Sequence, residues 1–309
     1  MMAEWIEESK SKITRRGVIS QATIDNYNKC YRTLEKFQDQ KKYMLSFKGM
    51  DLKFYSKFRS FCINDLGNGI NTFATRVQTL KTFLKDQIKN DVEVNPKWMF
   101  FEVPSKHTNV DFLTADQLEA IKNLRDITVR TKTKSVSADL AMYCRDIFLF
   151  QCYTALRISD VFRLKKEHIK GDKILLPDTK KTGNPVVIPF IDNFIFQPVK
   201  LVDKYSNDTD YLFTWRGEAA PDEKRVTDSM NLVLHTITNL IKCPFKITTK
   251  IGRKTFATYA IAILKMSKAD VMRITGHTTE TNFNRYMGFD PDAVIEAYRE
   301  RAQFLKVVG

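Results

Sequence analysis

Cysteine and histidine are scarce in this 309-residue chain, and neither is clustered. Cys30, Cys62, Cys144, Cys152 and Cys243 are odd in number and contain no C-x-x-C pair, which excludes a disulfide framework and a cysteine-based zinc site. They read as packing residues. His107, His168, His235 and His277 stand far apart, so no metal centre is expected. Glycine numbers only 11, and neither a G-x-G-x-x-G fingerprint nor a Gly-rich phosphate loop occurs, so no nucleotide cofactor is expected. No stretch approaches the ~18 uninterrupted apolar residues of a spanning helix, which removes the membrane reading. The start, MMAEWIEESKSK, places three acids before its first base and has no apolar core segment, unlike a secretory signal. A cytoplasmic protein is expected. Acidic residues are in deficit, 36 against 50 Lys and Arg, and the net charge of +14 suits a polyanionic partner, duplex DNA before any other.

Apolar residues, by contrast, are sufficient for cores, at 43% of the chain with 12% aromatic. The length suits two domains, at roughly 100–200 residues each. Tyr27, Tyr31, Leu34 and Phe37 give a helical stripe over residues 20–37; Phe54, Phe58 and Phe61 another over 51–63; Phe73, Val77, Leu80 and Leu84 a third over 71–88. A helical bundle follows. Arg76, Lys81 and Lys85 lie off the third stripe, where they can meet a phosphate backbone, and residues 1–106 carry 19 basic against 12 acidic side chains. The segment from Val94 to Lys106, with Pro96 and Pro104, reads as the boundary, and Thr114 to Gln117 reads as a capping box opening a new helix. Domains of 1–106 and 107–309 are therefore expected. The second is mostly helical, with extended runs at Lys173–Leu176 and Pro185–Pro189 joined through the turn Lys181-Thr182-Gly183-Asn184. The fold class expected is mainly α with a small antiparallel β-sheet.

Three separated basic clusters and one tyrosine stand out in that domain. Thr154-Ala155-Leu156-Arg157-Ile158-Ser159-Asp160 sets an arginine directly after an apolar helix, where an unpaired charge is costly to bury. Lys250 and Arg253 fall one helical turn apart, a spacing that lets both grip a single anion. Gly276-His277 precedes Tyr286 by a short polar linker. In order and spacing these segments resemble the tyrosine recombinases, also called the phage-integrase family. Thr154 to Asp160 is similar to the family's first arginine box, T-G-L-R-x-S-E/D. Lys181 with the strand after it resembles its β-hairpin lysine, Lys250-x-x-Arg253 its H/K-x-x-R box, and Gly276-His277 its L-G-H box. Tyr286, nine residues after His277, falls at the position of the nucleophile.

The resemblance implies a helical core-binding domain followed by an α+β catalytic domain. It implies a metal-independent site-specific recombinase or integrase that integrates or excises a mobile element through a 3′-phosphotyrosyl intermediate. Arg157, Lys181, Lys250, Arg253, His277 and Tyr286 are then the catalytic residues, a homotetramer forms on the recombination site, and an accessory DNA-bending protein is a further partner. The chemistry agrees with the residue types. Attack on a phosphodiester builds negative charge at phosphorus, which the non-titrating forks of Arg157 and Arg253 can meet. Lys181 can protonate the departing 5′ oxygen, and His277 can donate to a phosphate oxygen. Three positions depart from the family pattern: Ala155 replaces Gly, Thr275 replaces Leu, and Lys254 stands where His or Arg is common. Lys250 in place of His reads as a cation, which leaves the general base unassigned. Type IB topoisomerase relaxation and non-catalytic DNA binding are the competing readings.

Overall fold

Trp5 and Ile6 lie among the glutamates of the first ten residues, and their burial organises α1, Met2–Ser11, a helix the apolar spacing did not disclose. In the computed structural model, which describes residues 1–14, 17–106, 110–130 and 134–284, the chain divides into two compact units, Met1–Thr108 and Asn109–Gly309. After the two-residue strands β1 (Ile13–Thr14) and β2 (Gly17–Val18), the first unit contains α2 (Gln21–Lys41), α3 (Leu52–Ser60) and α4 (Ile70–Lys89). These three follow the aromatic stripes of the sequence. Asp51 caps α3 by accepting from the Phe54 amide at 2.9 Å, and the helix widens into a π turn over Phe61–Asp65. Phe37 sits within 6 Å of the ring centres of Phe54, Phe58 and Phe61, so the core is a cluster of interlocked aromatic rings. Trp5 joins it beside Tyr27 and Phe83, and its indole N–H is satisfied by Asp86 Oδ2 at 2.9 Å.

The second unit is built around α6, Ala138–Thr154, which is buried at every residue from Tyr143 to Thr154. Before it come α5 (Ala115–Asn123), opened by the expected capping box of Thr114 and Gln117, and the short ladder of β3 (Val129–Arg130) with β4 (Ser135–Val136). After it, α7 (Ile158–Val161) leads to an antiparallel sheet of β5 (Ile169–Lys170), β6 (Lys173–Leu176) and β7 (Val186–Pro189). Ile174 pairs with Ile188 and Leu176 with Val186, all four buried, while Leu175 and Val187 face outward, as a half-buried sheet with a two-residue period requires. Then follow α8 (Pro198–Lys204), α9 (Glu223–Leu240), α10 (Thr249–Ala262), α11 (Lys268–Thr275) and α12 (Glu280–Phe283). Helices α9 and α10 pack on α6, placing the second basic cluster against the end of the first.

A closed ionic network lies inside this unit. Arg145 donates to Asp146 Oδ1 through Nε at 2.7 Å and reaches the carbonyls of Lys122 and Leu124 through Nη1. The other carboxylate oxygen of Asp146 accepts from Lys204 Nζ at 2.6 Å and the Tyr205 hydroxyl at 2.7 Å. Cys30, Cys62, Cys144 and Cys152 are buried, the packing role expected of them. Among the described residues no helix is long and apolar enough to cross a membrane.

Candidate functional site

Gly252 brings the chemistry together by its lack of a side chain. A Cβ there would lie 3.2 Å from Gln151 Cβ and 3.3 Å from the Cys152 amide, so only glycine lets α10 approach α6 this closely. The next residue, Arg253, is thereby pressed against the C-terminal end of α6 and is only 5% exposed. Its Nη1 donates to the Ala155 carbonyl, and its Nη2 to the Thr275 carbonyl at 2.7 Å. One guanidinium thus fastens the turn after α6 to the end of α11, 98 and 22 residues away in sequence.

The turn after α6 depends on Ala155, which takes the left-handed conformation at φ 57° while its amide closes onto Gln151 O at 3.0 Å. Reversal there places Arg157 at the start of α7. Its side chain is one-fifth exposed, and Nη1 is buried with no hydrogen-bond partner among the described residues. The nearest carboxylate oxygen, Asp160 Oδ2, is 3.9 Å away, within reach of charge attraction but too far for a hydrogen bond. Asp160 is fully buried, and its Oδ1 accepts from the Lys180 amide at 2.8 Å. That bond ties the arginine turn to the hairpin turn that carries Lys181. Within this turn the hydroxyls of Thr179 and Thr182 meet at 2.7 Å, and Lys181 itself is exposed.

The third segment is held from the opposite side. Gly276 ends α11 at φ 68°, and a Cβ on it would lie 3.1 Å from Val186 Cγ1 of β7, so both backbone conformation and sheet packing call for glycine. His277 then closes the helix end through its amide to Met272 O at 3.0 Å. Its Nδ1 lies 2.7 Å from Thr275 Oγ1, and its ring meets Phe283 edge-on at 5.5 Å. Half-burial, then the positive charges of Arg253 and Arg157, push its pKa down to about 4, so the imidazole is neutral at pH 7.

The structure therefore gathers Arg157, Arg253 and His277, and attaches the Lys181 turn through Asp160 and the strand through Gly276. It does not pair Lys250 with Arg253 in one environment: Lys250 is exposed in the first turn of α10, whereas Arg253 is buried on backbone carbonyls. Tyr286 lies outside the described residues. In the first unit Lys85 is exposed, Arg76 is half-buried, and Lys81 has an internal task. Its Nζ donates to Met99 O at 2.9 Å and Phe101 O at 2.8 Å over the face of Trp98, fastening the turn Pro96–Phe100 to α4. Two residues of the site were absent from the sequence-based set, Asp160 and Thr275. Asp160 was visible as an acid three residues beyond Arg157; Thr275 had only its departure from the usual leucine to mark it. Among the described residues, no three His, Cys, Asp or Glu side chains gather as metal ligands.

An electropositive recess with two buried guanidiniums beside a neutral imidazole is chemistry for an oxyanion such as a phosphodiester. Comparison with known structures agrees. Over 92% of this chain and 94% of the other, the fold matches a lambda integrase dimer bound to a COC′ core site at TM-score 0.67 and 15% identity. The Tn1549 transposon integrase in complex with a circular intermediate DNA matches at 0.63 and 17% identity, over 97% of this chain and 98% of that one. The XerH site-specific recombinase bound to its palindromic difH substrate matches at 0.64 and 16%, over 96% and 83%. This is the two-domain fold of the tyrosine recombinases, mainly helical with a small antiparallel sheet. Within it, residues 1–102 match the phage integrase SAM-like domain family. No curated protein matches the chain by sequence.

Proposed function

We propose that the chain is a site-specific DNA recombinase of the integrase type, cleaving and rejoining duplex DNA through a 3′-phosphotyrosyl ester on Tyr286. The observation that carries this reading is the convergence of Arg157 and Arg253 on His277, three residues from separate motifs drawn into one positively charged recess. Both arginines face the non-bridging oxygens of the scissile phosphate, where their charge stabilises the pentacoordinate transition state. Lys181 protonates the departing 5′ oxygen from its exposed hairpin turn, and Lys250 adds positive charge at the entrance. Side chains supply every charge the step needs, so neither a metal ion nor a nucleotide takes part.

The first unit holds DNA from the other side, with Lys85 and Arg76 as candidate backbone contacts. Four copies assemble on the recombination site; a lambda integrase tetramer bound to a Holliday junction, matching at TM-score 0.66 and 14% identity, is the precedent. Action on a mobile element follows from the same likeness to phage and transposon integrases.

The test is covalent trapping on DNA carrying candidate recombination sites. Wild type is expected to give an SDS-resistant adduct in excess EDTA, and Tyr286→Phe to bind the same DNA without forming one. An adduct in the Phe variant, or strict Mg²⁺ dependence of the chemical step, would overturn the reading. Supercoil relaxation with no strand exchange between sites would reassign the activity to a type IB topoisomerase.

A further inference from the structure

The site as drawn has cations and an acid but no base for the proton of the attacking hydroxyl, because Lys250 occupies the place where the related motif usually carries histidine. Thr275, where the usual residue is leucine, supplies the missing element indirectly. Its hydroxyl lies 2.8 Å from the Val271 carbonyl one helical turn back and 3.3 Å from the Met272 carbonyl. A hydroxyl has one proton. Were it turned toward His277, the threonine oxygen and the Val271 carbonyl would face each other at 2.8 Å with only lone pairs between them. The proton therefore goes to the helix carbonyl, and the oxygen that remains, 2.7 Å from His277 Nδ1, accepts from an Nδ1–H. In a neutral imidazole that puts the lone pair on Nε2.

We infer that Thr275 is a positioning residue that fixes His277 as the Nδ1–H tautomer, making Nε2 the proton acceptor for the attacking hydroxyl. The inference rests on the recombinase reading of the site. In the forward step the tyrosine oxygen bonds to phosphorus as the bond from phosphorus to the 5′ oxygen breaks. The phenolic proton passes to Nε2, and the Lys181 ammonium gives its proton to the 5′ oxygen. Religation runs the same transfers backwards, so no co-reactant is consumed.

The groups facing the imidazole favour its neutral form. Arg253 from α10 and Arg157 from the start of α7 are both cationic, and Phe283 from α12 covers the ring with an apolar edge. Thr275 also holds Arg253, whose Nη2 donates to its carbonyl. The one residue thus sets a cation with its backbone and a tautomer with its side chain. This corrects the role expected from the sequence, in which His277 donated to phosphate.

The experiment is a ¹⁵N spectrum of histidine-labelled full-length protein near neutral pH, with the His277 signals assigned by loss in His277→Gln. Nδ1 is expected as the protonated nitrogen and Nε2 as the bare one. Thr275→Val, close in shape but without the hydroxyl, should shift the population toward Nε2–H and slow adduct formation about tenfold or more at unchanged DNA affinity. Thr275→Ser should restore both. An Nε2–H tautomer in wild type would overturn the inference, and so would a Thr275→Val protein with wild-type tautomer and rate. Should the valine variant fail to fold, the wild-type spectrum and the serine variant decide. Failure of the recombinase reading shows separately, as absence of any adduct beside an unchanged histidine spectrum.

Discussion

Two buried arginines in the second unit live in opposite circumstances. Arg145 is matched donor for donor: Asp146 takes its Nε and Nη2, carbonyls take Nη1, and Lys204 and Tyr205 fill the other oxygen of the same carboxylate. Arg157 has a buried Nη1 without a hydrogen bond among the described residues, and its nearest carboxylate is held off at 3.9 Å by a bond to the Lys180 amide. Leaving such a donor unmet costs on the order of 1–3 kcal/mol, more for a charged group. A fold that closes one network so completely a few residues away does not leave the other open for lack of means. The closed network is architecture; the open one holds donors ready for an oxyanion that arrives later, and the neutral His277 keeps the recess from carrying a third positive charge.

The sharpest break of this contrast compares one change in each network. Asp146→Ala strands Arg145 in the interior and should destabilise the unit by about 3–5 kcal/mol, read as a large fall in urea midpoint. Arg157→Lys keeps the charge but loses the planar fork. It should lower adduct formation on the order of a hundred- to a thousandfold while leaving the urea midpoint nearly unmoved. Comparable stability losses in both proteins would erase the distinction between structural and functional arginine.

A second, smaller effect sharpens the contrast through pH. The folded-state pKa of His277, about 4, lies below the ~6.5 of an unfolded histidine, so the folded protein binds fewer protons across that interval. Stability from this residue is fully present above about pH 6.5 and is lost as pH falls toward 4. In His277→Gln the stability profile should be flatter between those two values and parallel to wild type above them. Sulfate, standing in for the phosphate, should reduce the wild-type slope by offsetting the two arginine charges. A wild-type profile no steeper than that of the variant would contradict the depressed pKa.

The legible parts of the molecule were those governed by local pattern. Aromatic spacing disclosed α2, α3 and α4, the Thr114–Gln117 capping box located α5, and alternation located β6 and β7. Helix α1 escaped because three glutamates share it with Trp5 and Ile6, whose partners Tyr27, Phe83 and Asp86 come from distant parts of the sequence. At the site, the spacing of Arg157, Arg253 and His277 showed the cations but not how they are held. Gly252 does its work through an absent Cβ against α6, and Asp160 through a main-chain amide twenty residues away. Lys81 looked like a DNA contact because its use lies in the carbonyls of Met99 and Phe101, which no sequence period reveals.

The smallest effect concerns Ala155, whose left-handed φ of 57° forms the turn that presents Arg157 and supplies a carbonyl to Arg253. An alanine in this region costs about 1–2 kcal/mol relative to right-handed backbone, a cost glycine escapes. Against that gain, glycine adds conformational freedom to the unfolded chain, worth roughly 0.4–1 kcal/mol, and gives up the contacts of a fully buried methyl group. The terms nearly cancel, with the backbone term slightly ahead. Ala155→Gly should therefore stabilise the protein by less than about 1 kcal/mol. Because both main-chain bonds at this residue survive the change, adduct formation should stay within about twofold of wild type. A loss of stability beyond about 1 kcal/mol would show that the methyl contacts, and not the left-handed turn, decide what this position tolerates.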